Sequence, residues 1–88
     1  MPMASYSIEW KASAAKELRK LPKPVIARIL AAVETLVVNP RSDGVRKLTD
    51  TESTYRIRIG DYRVVYNVYD RKLIIEVIRV RDRKDAYQ

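Results

Sequence analysis

The stretch YRIRIGDYRVVY, residues 55–66, sets Arg56, Arg58 and Arg63 within reach of one another and offers chemistry for an anion. A guanidinium group is rigid and planar; its fork of donors matches a phosphate, and its face stacks on a base. Alternation along a strand sends Ile57 and Ile59 to one side and Arg56 and Arg58 to the other. A two-residue turn at Gly60-Asp61 then brings Arg63 of the next strand beside them. Arg79, Arg81 and Arg83 approach from the end of the last strand, so several cations share one small patch. The competing reading is the ordinary polar face of an open sheet, whose arginines merely stay wet. Opposed like charges on neighbouring strands repel by roughly 0.2–1 kcal/mol, however, and a merely solvated face would intersperse carboxylates among them.

Other polar groups are read the same way. Tyr87 lies in the charged tail RDRKDAYQ. It is either an aromatic tucked back onto the sheet or a hydroxyl held at the arginine patch, where cations favour the ionised form. Tyr55, Tyr62 and Tyr66 suit the core or an edge, since aromatics are common in strands. The run KELRKLPK carries Lys16, Arg19, Lys20 and Lys23, a solvated helix face or a grip on RNA phosphates that salt would weaken.

The elements that must position these groups come from hydrophobic period. YSIEW alternates Tyr6, Ile8 and Trp10 with polar residues, which predicts a half-buried strand able to pair at an edge. Ser13 is the expected N-cap of a short helix, SAAKELRKL, that Pro22 stops. Pro24 suits the first turn of a second helix of roughly fifteen residues, whose wide apolar stripe runs from Val25 to Val37 and breaks at NPRSDG. The polar stretch TDTEST precedes three strand-like runs, TYRIRIG, YRVVYNVY and KLIIEVIRV, joined by short turns at Gly60-Asp61 and Asp70-Arg71. The order β-α-α-β-β-β predicts an α+β fold, a helical hairpin on one face of a small, mostly antiparallel sheet.

Composition narrows the function. Eighty-eight residues, 1–88, form one domain with a single core, so function must sit on one surface. The 18 Lys+Arg against 11 Asp+Glu leave a formal charge of +7, which favours nucleic acid, an acidic protein or an anionic membrane. Cysteine and histidine are both absent, which removes thiolate nucleophiles, zinc-thiolate sites and the usual general base. Catalysis would rest on Tyr, Lys, Arg, Asp or Glu, with no metal and no cofactor expected. No apolar run spans a bilayer and no signal core follows the amino terminus, so the chain is read as cytoplasmic.

The order of motifs resembles the RelE/ParE superfamily of toxins from toxin–antitoxin pairs, and is most similar to its short RelE-type members. The segments that carry the resemblance are IEWKASAAKELRKLPKPVIARIL, NPRSDGVRKL, YRIRIGDYRVVY and RVRDRKDAY. It implies a RelE-like fold, a cognate antitoxin, and a ribosome-dependent endoribonuclease acting on mRNA. In that chemistry a ribose 2′-hydroxyl attacks the adjacent phosphorus without metal, leaving a 2′,3′-cyclic phosphate and a 5′-hydroxyl. By position, Arg56 and Arg58 match two basic hairpin residues that are often lysine, Arg63 the phosphate-binding arginine, Arg83 the late arginine with Arg81 as its alternative, and Tyr87 the late tyrosine. Guanidinium groups are poor bases, so base duty moves toward Tyr87. Many relatives carry GHRKD where this chain has RDRKD. The same resemblance leaves two alternatives: a ParE-like inhibitor of DNA gyrase, which usually lacks the hairpin arginines, and an inactive relic that binds only antitoxin or RNA.

Overall fold

The path of the chain is set where strand alternation hands over to helical spacing. The structure, a computed structural model, describes residues 5–41, 45–48 and 53–82. The first strand, β1 (Ser7–Trp10), turns Ile8 and Trp10 toward the core and leaves Ser7 and Glu9 exposed, as the alternation predicts. The next residue, Lys11, still belongs to the sheet through its N–H, which donates to the Val77 carbonyl at 2.9 Å. Its own carbonyl accepts from Ala15, so the chain leaves the sheet and enters α1 (Ala12–Arg19) at one residue. Ser13 therefore lies inside the first turn rather than at the expected N-cap, and Lys11 caps the helix without a side-chain hydrogen bond.

Pro22 separates the helices as expected. It is the N-cap of α2 (Lys23–Thr35), with Pro24 in the first turn, where a missing N–H is harmless. The regular helix is 13 residues long and stops short of Asn39-Pro40. Pro40 cannot donate to the carbonyl four residues back, and its ring crowds that carbonyl. The backbone tightens instead: Leu36 N–H donates to Val33 O at 3.0 Å and Val37 N–H to Glu34 O at 3.1 Å. The buried stripe is narrower than predicted, with Ile29, Val33 and Leu36 in the core and Leu30 exposed.

The sheet has one strand more than the sequence predicts. A short β2 (Val45–Lys47) precedes β3 (Thr54–Ile59), β4 (Tyr62–Tyr69) and β5 (Ile74–Asp82). Only Val45 marked it in sequence, and three residues are too few for a pattern. The spatial order is β1-β5-β4-β3-β2, with β1 parallel to β5 and every other pair antiparallel. The fold is thus α+β and mostly antiparallel, as predicted, with β1 at an edge.

Both helices cover one face, α1 over β5 and α2 over β3. Ala14, Leu18, Ile29, Val33 and Leu36 meet Val64, Tyr66, Val68, Ile75, Val77 and Val80 across that face. Each fully buried side chain of this size contributes about 1.5–3 kcal/mol, so this layer makes the sheet rigid enough to carry a site on its other face. The predicted inward isoleucines, Ile57 and Ile59, pack against the same core, as do Tyr55 and Tyr62.

The two hairpin turns differ. Ile59 pairs with Tyr62, so Gly60-Asp61 is a two-residue loop. Gly60 takes φ +60° and Asp61 does not join it at positive φ, the signature of a type II′ turn with glycine first. A Cβ on Gly60 would come within 3.2 Å of the Arg28 guanidinium of α2, which lies against the turn. The second loop is longer than predicted. Tyr69 pairs with Ile74, which leaves four residues, 70–73, and Leu73 takes the left-handed φ of 54°. The Leu73 carbonyl accepts from Ser7 N–H at 2.7 Å, so β1 holds that conformation in place.

Candidate functional site

The face without helices is built in rows, because antiparallel register sets alternate residues of each strand side by side. In the row nearest the Gly60 turn, Arg58 of β3 stands opposite Arg63 of β4, which stands opposite Arg81 of β5. The next row runs Arg46 of β2, Arg56 of β3, Val65 of β4 and Arg79 of β5. A third row, Thr54, Asn67, Glu76 and Glu9, is neutral to acidic. Charge is therefore segregated along the face rather than interspersed.

One irregularity in β5 produces this arrangement. Val65 pairs with Arg79 but Tyr66 pairs with Val77, so Ile78 is an extra residue, a β-bulge. Ile75 and Val77 point into the core, and strict alternation beyond them would turn Arg79 and Arg81 inward and Val80 outward. The bulge reverses the parity. Val80 is buried at 4% exposure opposite Val64, and the two arginines join the open face.

Arg46, Arg56, Arg58 and Arg63 line a cleft of about 90 Å³. This is well below the roughly 300–1,000 Å³ of pockets for whole small molecules, and suits a single anionic group. Among the described residues no carboxylate lies within ion-pair distance of Arg46, Arg56 or Arg58. The sequence reading named three of these four arginines. Arg46 was missed because its strand was missed, and the single alternation of Val45 with Arg46 was the available signal.

Arg81 is held differently from its row neighbours. Glu17 of α1 accepts from Val80 N–H through Oε1 at 2.9 Å, and its Oε2 lies 3.2 Å from Arg81 Nε. That Nε is buried and its contact is ionic rather than an aligned hydrogen bond. One carboxylate therefore fixes both the backbone and the side chain at the end of β5. Lys20 shares the adjoining groove with Glu17, Leu21 and Arg81, while Lys16, Arg19 and Lys23 are exposed on or beside α1. Of the four predicted RNA-binding cations, only Lys20 reaches the rim of the arginine face in this way. Arg83 and Tyr87 lie outside the described residues.

A second cluster of polar groups sits at the far end of the β3–β4 ribbon. Arg41 forms a two-pronged pair with Asp70, at 3.1 and 2.8 Å, and donates from Nε to the Tyr55 hydroxyl at 2.8 Å. Tyr6 donates to the same carboxylate at 2.7 Å. Those donors hold Asp70 below the usual carboxylate range, Arg41 first and Tyr6 second. Tyr6 is correspondingly raised, because its neutral hydroxyl is the form that donates. Behind them Tyr66 stacks on Tyr55 with centroids 6.0 Å apart and donates to Pro40 O at 2.8 Å. Burial pushes the Tyr66 phenol above its ordinary value.

The open face can bind a phosphate and stabilise added negative charge on it. Among the described residues no three His, Cys, Asp or Glu gather as a metal cage requires, and no helix is long and apolar enough to cross a membrane. The chain is similar in sequence and fold to known proteins. Residues 8–87 match the family described as ParE toxin of type II toxin-antitoxin system, parDE. The chain is 33% identical over 84 residues to the toxin RelE of Mycobacterium tuberculosis, covering 94% of this chain and 87% of that protein. It is 31% identical over 87 residues to the mRNA interferase toxin RelE of Escherichia coli K12, covering 94% and 90%. The archaeal RelE–RelB complex from Pyrococcus horikoshii superposes with a TM-score of 0.78 at 32% identity, covering 90% of this chain and 96% of that one.

Proposed function

The chain belongs to the ParE toxin family of type II toxin–antitoxin systems as a RelE-type toxin, and from that premise we propose that it is a ribosome-dependent endoribonuclease that cuts mRNA. The observation that carries this reading is the cleft of Arg46, Arg56, Arg58 and Arg63 on the uncovered face of the sheet. ParE-like gyrase inhibitors usually lack the hairpin arginines, whereas a phosphoryl-transfer site uses clustered cations. The similarity to the mRNA interferase toxin RelE of Escherichia coli supports the same choice.

In this mechanism the scissile phosphate sits in the arginine cleft, with Arg63 as its principal contact. Arg56 and Arg58 orient the RNA and stabilise the charge that grows on the phosphorane when the 2′-hydroxyl attacks. The products are a 2′,3′-cyclic phosphate and a 5′-hydroxyl, and no metal takes part. Tyr87 as its phenolate takes the proton of the 2′-hydroxyl as the P–O5′ bond breaks, the leaving 5′-oxygen takes a proton from water, and Arg83, or Arg81 in its place, adds a further cation near that oxygen. The Glu17 clamp on Val80 and Arg81 fixes the strand from which those last residues emerge. A cognate antitoxin silences the toxin in the cell, in line with the RelB partner of the Pyrococcus horikoshii structure. An acidic segment that folds on binding would complement the +7 charge.

The test adds purified protein to programmed ribosomes and, separately, to the same naked mRNA, and maps new 5′ ends by primer extension. Cuts on the ribosome alone, lost with Arg63→Ala, are the expected result. No cuts in either tube, from folded protein and intact ribosomes, would turn the reading toward gyrase inhibition or antitoxin binding alone.

A further inference from the structure

The bulge at Ile78 has a consequence for substrate binding that rests on the RNA-cleaving reading above. We propose that, by turning Arg79 onto the open face, it completes a second cationic row, Arg46–Arg56–Arg79, that holds an RNA phosphate next to the one being cut.

Three observations support this. Val65 separates Arg56 from Arg79 in the register, and it is small and half-buried, so no tall side chain stands between the two arginines. Arg79 is exposed, and among the described residues no carboxylate lies within ion-pair distance of it. The two rows are two residues apart along β3, roughly 6.8 Å at the rise of an antiparallel strand, a spacing that suits neighbouring phosphates of an extended RNA strand. The third row then bounds the track. Glu76 and Glu9 stand opposite one another there, and a phosphate beyond the second row would face carboxylates instead of cations.

Arg79 differs from Arg81 in what holds it. Arg81 is pinned by Glu17 at the edge of the sheet, whereas Arg79 has no partner of that kind among the described residues. A guanidinium so placed can close on a ligand oxygen without first breaking an internal pair. Its role is binding: the cut phosphate lies in the cleft of Arg46, Arg56, Arg58 and Arg63, which Arg79 does not line, so Arg46 and Arg56 border both phosphates and Arg79 meets only the neighbouring one.

The test uses mRNA on programmed ribosomes with single methylphosphonate linkages, each of which removes one phosphate charge, placed in turn around the cut. Wild-type protein should lose about ten-fold in cleavage rate at one linkage beside the scissile one, the scale of a charge-assisted hydrogen bond. Arg79→Gln should lose a similar factor on unmodified message and clearly less than wild type at that linkage, where Arg46 and Arg56 remain. Arg71→Gln, which removes the same charge from the exposed 70–73 loop, should behave as wild type throughout. Equal losses from Arg79→Gln and Arg71→Gln would reduce the effect to net charge and overturn the proposal. So would an Arg79→Gln protein that still loses the full factor at every linkage. If wild-type protein leaves unmodified message uncut, the RNA-cleaving reading itself fails and the proposal with it.

Discussion

Arg41 and Arg63 sit toward opposite ends of the β3–β4 ribbon and live in opposite company. Arg41 is enclosed by partners: Asp70 takes two of its nitrogens, the Tyr55 hydroxyl a third, and its guanidinium lies 5.2 Å from the Tyr55 ring centroid. Arg63 stands in register between two further arginines, Arg58 and Arg81. At the first end the sequence supplies a carboxylate for the cation, and the pair ties the segment after α2 to the sheet. At the second end it concentrates cations and moves the carboxylates of that face to Glu9 and Glu76. Like charges in register oppose folding, and the anion that would offset them is the RNA phosphate of the proposed function.

The largest expected effect comes from removing the central cation of the open face. Arg63→Ala should lower the single-turnover cleavage rate on programmed ribosomes by about 10²–10³-fold, the range for losing one preorganised donor to a transition-state charge. Its melting temperature should move by no more than a few degrees, the scale of one exposed polar contact in a domain of this size. A large drop in melting temperature with unchanged cleavage per folded molecule would reverse the comparison and make Arg63 structural.

The opposite end should answer in the opposite way. Tyr66→Phe deletes the donor to Pro40 O and leaves a buried carbonyl without its partner. A loss of roughly 1–3 kcal/mol is expected, and about 4–8 °C in melting temperature for each kcal/mol in a domain of this size. Cleavage per folded molecule should stay at the wild-type level. Thermal denaturation followed by circular dichroism, beside the ribosome assay, separates the two readouts.

A smaller effect tests whether the arginine rows oppose folding. Arg58→Gln relieves the opposition between Arg58 and Arg63, and should stabilise the protein by about 0.2–1 kcal/mol while lowering cleavage. The gain should vanish at high salt, where exposed charges are screened. A gain that survives molar salt would mean that strand preference, not repulsion, is responsible.

What the sequence made legible follows from what repeats. Alternation in 55–66 and 62–69 was long enough to fix the faces of β3 and β4, and with them the placement of Arg56, Arg58 and Arg63. Helical spacing fixed both helices, and the prolines their separation. The lost information was local and unrepeated. Three residues of β2 carried no pattern, so Arg46 was not foreseen. A single extra residue at Ile78 inverted the parity of the end of β5, which an unbroken reading of KLIIEVIRV does not reveal. The partners of Arg41 were invisible for another reason: Asp70 is 29 positions away, and only the closed sheet brings the two together.

The smallest effect concerns pH, and it belongs to the Arg41 end. Asp70 is exposed, so its contribution is modest, but its sign is fixed. Arg41, and then Tyr6, lower its folded value below the ordinary 3.8. A carboxylate shifted down in the folded state stabilises above its unfolded value, and that stability is lost as pH falls through the folded one. Tyr6 works from the other side: its value is raised above 10.0, chiefly by the hydrogen bond to Asp70, so its contribution is present below 10.0 and lost as pH rises through the folded value. The difference in melting temperature between wild type and Asp70→Asn should therefore be level between about pH 5 and 9, shrink below about pH 4 and shrink again above about pH 10. If the Asp70→Asn difference persists unchanged at pH 2, the corner is held by shape alone, and the contrast with the open face would rest on packing instead of charge.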